Sequence, residues 1–532
     1  MIRNLKLCLL SLLPALFACT PDVPKDAQPL ESHAKTLPDY AGATLPPNIA
    51  PMNFRVEEDA DACIVHFHSR KGNRSLVAEG KTTDLPADDW KELLQAARGD
   101  TLYTDIYVQR KGKWLKFPTR RNYVAQEEID PYIAYRLIEP SYVDYEQILI
   151  CQRNLTNFKE EILCDNAMLT DGENGACLNC HAFQDYNRGG RIQMHIRQNH
   201  GGTLIADGGK LKKVNLKTPQ TLSAGVYPAW HPRKNLIAYS VNETGQVFHT
   251  RDVQKIEVLD FASDLILYDI DQNKVYDIDC KPHDFETFPA WSPDGKMLYY
   301  CSAHYVQTMN DIDAELGLNY RQMKYSILRR PFDEAAGKFG AQDTVFNAAA
   351  LGKSAILPRI SPDGQWLLFS MADFGNFHVW HKSSDLYVMN LSTGRAYPLQ
   401  EANSQETDSY HSWSSNGRWI LFTSRRDDGN YTRLYIAYFD KTGRAHRAFQ
   451  VPQRDPLFYA RFCKSYNVPE WLSEPVAFSR NELVDAALEE AVPAEYGGSA
   501  LSVPDLRQKK TEPTLPTPNE GRGRPVNNRL SY

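Results

Sequence analysis

Four stretches of this chain repeat one another, and that repetition constrains the fold more than any other feature. Tyr227–Ser240 reads Tyr-Pro-Ala-Trp-His-Pro-Arg-Lys-Asn-Leu-Ile-Ala-Tyr-Ser. Phe288–Cys301, Leu357–Ser370 and Tyr410–Thr423 follow the same pattern, two of them through Ser-Pro-Asp-Gly and the last through Ser-Ser-Asn-Gly. In each, an apolar strand end meets a tight turn, where Pro presets φ and Gly supplies a positive φ. An apolar run then follows as a buried strand. A second hairpin comes next, as in Ser263–Ile278, Ser384–Leu399 and Arg433–Gly443. Each repeat therefore predicts about four strands, recurring every 50 to 70 residues or so. Radial repetition of four-stranded sheets is a β-propeller. The competing reading is a β-sandwich with coincidental turns.

The Ser-Pro-Asp-Gly blades resemble those of TolB-type (WD40-like) propellers, directly over about residues 225–455. That resemblance implies six blades, with seven as the alternative. Ile133–Leu137, Tyr145–Leu155 and Phe158–Leu163 predict one further blade; Gly202–Ala206 and Lys210–Leu216 predict another, incomplete one. The fold class expected is all-β: a propeller over 131–480, a small mainly-β domain over 51–130, and a short C-terminal helix within 481–499. In the small domain Cys63–His68 and Leu102–Val108 alternate as strands. Ala87–Arg98 predicts a helix with Pro86 before it and Gly99 after it. Ser479-Arg-Asn-Glu482 has the form of a capping box.

The N-terminus predicts export. Arg3 and Lys6 form a short basic region, and Leu5–Ala18 is an almost wholly apolar run too short for a membrane span of about 20 residues. Leu16-Phe17-Ala18-Cys19 resembles a bacterial lipobox. The resemblance implies a signal peptide at 1–18, lipidation of Cys19, and anchoring to a bacterial membrane, with the outer membrane expected. Ordinary signal cleavage near Ala18 is the alternative. Residues 19–50, rich in Pro, predict a flexible tether, and 500–532 a disordered tail. With a net charge of −6, nothing in the composition points to nucleic acid as a partner.

The densest chemistry lies at Cys177-Leu178-Asn179-Cys180-His181, expected in a loop at 166–200 between blade-like hairpins. Cys-x-x-Cys-His resembles the attachment motif of c-type cytochromes. It implies one covalent haem c, with thioethers at Cys177 and Cys180 and His181 as the proximal iron ligand. A structural disulfide or dithiol, and a metal other than haem, are the alternatives. For the distal position, Met194 and His195 fall on opposite faces if their segment is a strand. Bacterial lipoproteins of this architecture carry a similar His-x-Arg before Gly-Gly-Thr, and this resemblance makes His195 the first choice, ahead of Met194. Arg188, Arg191 and Arg197 are candidates for pairing with haem propionates. Among the other cysteines, Cys151 and Cys164 are the best local disulfide pair, with Cys280 and Cys301 second. Free buried thiols are the alternative.

Three functions stay open. One is electron transfer or redox sensing with a protein partner docking at the propeller face or near the motif. Another is a TolB-like binding or assembly scaffold, in which the cysteines are structural or the haem not catalytic. The third is an enzyme. No Gly-x-Ser-x-Gly elbow accompanies the blades, which weighs against a hydrolase.

Overall fold

A computed structural model describes residues 22–531, apart from 73, 140–146, 171–175, 250, 253, 282, 310 and 503–528. The signal peptide, Cys19 and most of the tail lie outside the described residues. Among the described residues seven sheets have four or more strands: one belongs to the N-terminal domain and six form the propeller body. The first strands of blades 2 to 6 are Ala176–Phe183, Val226–Trp230, Asp284–Trp291, Ser354–Ile360 and Asp408–Trp413. Blade 1 is closed by the far end of the chain: Ser465–Leu472 pairs antiparallel with Tyr132–Ile138, followed outward by Leu149–Asn154 and Glu160–Asp165. Each first strand contacts the next, and the ring closes between Ser465–Leu472 and Ala176–Phe183. The fold is a β-propeller, as the repeats predict, and it has six blades, not the alternative seven.

The repeated residues explain the ring. Each first strand carries one residue with positive φ beside a β-bulge: Cys180, Tyr227, Phe288, Leu357, Tyr410 and Val468. A bulge adds one residue to one strand, so it turns the strand and re-aims its side chains. Three residues further on, most blades place Trp. Trp230, Trp291, Trp413 and Trp471 each donate their indole N–H to a backbone carbonyl in the preceding blade, at Ala182, Ala229, Arg359 and Ser412 respectively. These bonds run at 3.1 to 3.3 Å and tie blade to blade. The turn that follows is held by its serine. Ser292 Oγ donates to Asp294 and accepts from the Met297 amide; Ser361 and Ser414 do the same in their blades.

The ends of the chain depart from expectation. Residues 28–50 are no tether: Gln28–Pro29 and Thr44–Leu45 join the N-terminal sheet, and Ala34, Tyr40, Leu45 and Ile49 are buried. Their apolar side chains have a partner surface that Pro-rich composition does not show. The helix expected at Ala87–Arg98 is Ala87–Ala96, burying Trp90, Leu93 and Leu94 on one face. One continuous core joins this domain to blades 1 and 6 through Trp90, Tyr135, Trp419 and Trp471. The C-terminal helix spans Arg480–Leu488, and Ser479 and Glu482 form the capping box. Beyond it the chain is extended: Val492–Pro493 and Glu495–Ser499 pair with the outer edges of blades 2 and 3. Leu501 bridges to Phe339 of blade 4, so the tail begins as a strap over exposed strand edges. No described helix is long and apolar enough to cross a membrane.

Candidate functional site in the propeller channel

Cys-x-x-Cys-His is not in a loop. It lies on Ala176–Phe183, the first strand of blade 2, and Ile192–Gln198 is the second strand of that blade. These two strands complete the blade of which sequence predicts only Gly202–Ala206 and Lys210–Leu216, observed as Gly202–Asp207 and Lys210–Asn215. Cys180-His181-Ala182-Phe183 occupies the place of Tyr227-Pro-Ala-Trp230 in blade 3 and Val468-Pro-Glu-Trp471 in blade 1.

The bulge sets the site's geometry. In a regular strand Cys177, Asn179 and His181 share one face and Cys180 takes the other. Between Asn179 and Ala182 the register shifts, and Cys180 takes a positive φ of 47°. As a result Cys177, Asn179, Cys180 and His181 all line one cavity. This cavity is the propeller channel, open to solvent at its mouth. Its wall is largely aromatic and prolyl (Tyr227, Pro228, Phe288, Pro289, Phe377, Tyr410), crossed by Arg136, Arg197, Arg359 and Glu470.

The polar groups are individually placed. Arg197 Nη2 donates to Cys177 Sγ at 3.2 Å. Arg136 donates to the Asn179 side chain, and Gln193 to the Cys180 carbonyl. Burial pushes the Cys180 thiol up, against the opposing pull of the Tyr227 backbone and the two arginines. His181 is buried, and neither ring nitrogen makes a well-formed hydrogen bond. Burial drives its pKa down to about 3, Arg136 pushes the same way, and the nearby Val468 backbone offsets only part. The imidazole is therefore neutral, with ring nitrogens left unpaired. Glu470 borders the cavity half-buried and accepts from the Phe183 amide at 3.3 Å. Burial lifts its pKa to about 7, against Arg359 and that amide.

Other expected site residues fall elsewhere. Met194 and His195 do take opposite faces, but neither lines the channel. Met194 packs with Ile196 and Leu204 in the core shared with blade 1 and the C-terminal helix. His195 shares the face of Cys177 and Arg197 but turns its Nδ1 to Thr203 Oγ1 at 3.2 Å. Arg191 pairs with Asp207 at 2.9 Å, and Arg188 with Asp185 at 3.2 Å, both away from the cavity. Arg197 alone of the three arginines lines it. Cys151 and Cys164 are free. A bulge sets Cys164 opposite Ile150 and Cys151 opposite Ile162, so the two thiols enter different cores. Cys301 is likewise a free, buried thiol.

Sequence reasoning missed Arg136, Arg359 and Glu470. For the last two a signal existed. Two places after the positive-φ residue, four blades carry Ala or Ser (Ala182, Ala229, Ala290, Ser412), and two carry Arg359 and Glu470. Charge at a small-residue position of a repeat marks a function the repeat itself does not need.

Fold and site together define a six-bladed propeller with a thiol- and imidazole-bearing channel. No protein-family model matches the chain, and a search of curated proteins finds no match. Among solved structures it is similar to an oligogalacturonate lyase in complex with manganese, at 12% identity over 77% of this chain and 99% of that one, with a TM-score of 0.31. It is also similar to the β-propeller domain of the Trilobed protease from Pyrococcus furiosus, at 10% identity over 67% and 96%, with a TM-score of 0.27. Prolyl oligopeptidase B from Galerina marginata matches at 10% identity over 65% and 42%, with a TM-score of 0.33. Similarity at this level carries no argument about activity.

Proposed function

We propose that this chain is an exported, lipid-anchored propeller that holds one covalent haem c in its channel and serves in electron transfer or redox sensing with a protein partner. The observation carrying this reading is the convergence of Cys177, Cys180 and His181 on one cavity, with the His181 nitrogens unpaired. The residues suit the group. Each thiol would add its S–H across one vinyl, forming a C–S bond while the proton ends on carbon. His181, kept neutral by burial, would present a nitrogen lone pair to the iron. Arg136, Arg197 and Arg359 place positive charge beside the cavity for propionates, and the aromatic and prolyl wall limits water. Bound haem supplies one-electron chemistry at its iron. With Met194 and His195 off the channel, any further iron ligand would come from a channel residue or an exogenous molecule. Lipid at Cys19 would hold the propeller at the membrane.

A TolB-like scaffold is the second reading. It is favoured by one observation: the motif fills an ordinary blade position, next to a seam residue, Val468. The test is a reduced-minus-oxidised spectrum of full-length protein made with a working haem-attachment system. A Soret band that survives acid–acetone extraction, and is lost in Cys177→Ser/Cys180→Ser, is expected. No Soret band, while a control cytochrome acquires haem in the same cells, refutes the haem and leaves the scaffold.

A further inference from the structure

We infer that the N-terminal domain carries a second, separate site, for a divalent transition-metal ion of the zinc type, built from His66, His68 and Asp105. The two histidines stand two apart on Ala62–Ser69, so they share a face. Asp105 lies directly opposite His66 on Thr101–Arg110. His68 Nε2 is 3.2 Å from Asp105 Oδ2, and His66 Nδ1 is 4.0 Å from the same oxygen. The rings stack with centroids 4.7 Å apart at 19°. One donor atom from each residue lies within 4.8 Å of the others. Tetrahedral ligands at about 2.0–2.2 Å from zinc stand roughly 3.4 Å apart, so small side-chain movements close the site.

The surroundings favour coordination over a plain ion pair. Asp105 Oδ1 is already held by the Thr119 hydroxyl at 2.6 Å and Lys116 Nζ at 3.0 Å. Those contacts answer the carboxylate's charge and leave Oδ2 facing the imidazoles, the arrangement by which outer groups orient a metal ligand. Tyr103 stacks on His68 from the other side at 5.4 Å. The histidine side chains are 20% and 28% exposed, so an ion can enter and a water can complete the shell. Two imidazoles with one carboxylate suit Zn2+ or Cu2+ over Mg2+ or Ca2+.

Calorimetric titration of the full chain with Zn2+, after chelator treatment and dialysis, tests the site. One equivalent is expected that is retained in Cys177→Ser/Cys180→Ser and weakened at least about 100-fold in His68→Ala. Unchanged affinity in both His66→Ala and His68→Ala overturns the inference. Should those variants fail to fold, the Cys177→Ser/Cys180→Ser chain decides: Zn2+ but not Mg2+ raises its melting temperature if the site exists, and no Zn2+-specific shift refutes it.

Discussion

Glu470→Gln should change how stability depends on pH, and the direction follows from the channel. The Glu470 carboxyl titrates at about 7 in the folded chain, against an ordinary 4.5, because the channel wall takes water from its charged form. The folded state thus holds this proton more tightly than the unfolded state. Below about pH 4.5 both states are protonated and the group contributes no slope. Between about 4.5 and 7 the unfolded chain loses its proton first, so stability falls as pH rises, and above 7 the deficit is constant. At about 1.36 kcal/mol for each tenfold change in proton affinity, the rise from 4.5 to about 7 sets an upper bound of about 3 kcal/mol. Solvent in the open channel lowers that to about 1–3 kcal/mol. Glutamine copies the neutral acid and can still accept from the Phe183 amide. Urea unfolding of both proteins without haem, at pH 5 and pH 8, measures the difference. The variant should gain about 1–3 kcal/mol relative to the parent on going to pH 8. Parallel pH profiles would mean that Glu470 is ionised and solvated, and the described channel electrostatics would be wrong.

Trp471→Phe keeps an aromatic side chain but removes the N–H that Ser412's carbonyl receives at 3.3 Å across the seam between blades 6 and 1. It should cost about 1–3 kcal/mol in urea unfolding; no loss would show that the indole bonds do not tie the blades. Asp279→Asn removes the partner of Arg330, whose Nη2 and Nε lie 2.6 and 3.1 Å from one carboxylate oxygen in the core. Breaking a buried pair on one side costs about 3–5 kcal/mol. The melting temperature should fall accordingly, and Asp279→Asn/Arg330→Met should recover part of the loss.

The fold was largely legible because its repeats carry their own turns. Ser292, Asp294 and Gly295 are read from sequence as a turn and form one, with Gly295 at φ 69°. Blade 2 escaped because its turn, Asp185–Gly190, lacks Ser-Pro-Asp-Gly and passes through three non-glycine residues of positive φ, Asp185, Tyr186 and Asn187. With no turn signal, its inner strands read as loop. Positions that depend on tertiary neighbours were not legible. The pairing of Cys151 and Cys164 was undone by a single bulge, and the packing of residues 28–50 by a surface formed far along the chain.

The channel site therefore looks like a blade position adapted to chemistry, and the molecule contains its own comparison. His411 in blade 6 follows Tyr410 just as His181 follows Cys180. Its Nε2 bonds the Leu357 carbonyl of the preceding blade at 2.7 Å, and it does not line the channel. Both imidazoles are pushed down to about 3 by burial, so low basicity alone does not mark a ligand. The corresponding partner for His181 is the Val468 backbone, and there no well-formed bond exists. A seam histidine is expected to take the bond that His411 takes. His181 does not, and its neighbours differ from those of His411 in two channel-facing thiols. His411→Ala should thus destabilise the propeller without affecting binding of the proposed haem, while His181→Ala should leave a thioether-bound haem, if the proposal holds, with an altered spin state. If instead His181→Ala costs as much stability as His411→Ala and the haem spectrum is unchanged, His181 is a seam residue and the iron takes its ligand elsewhere.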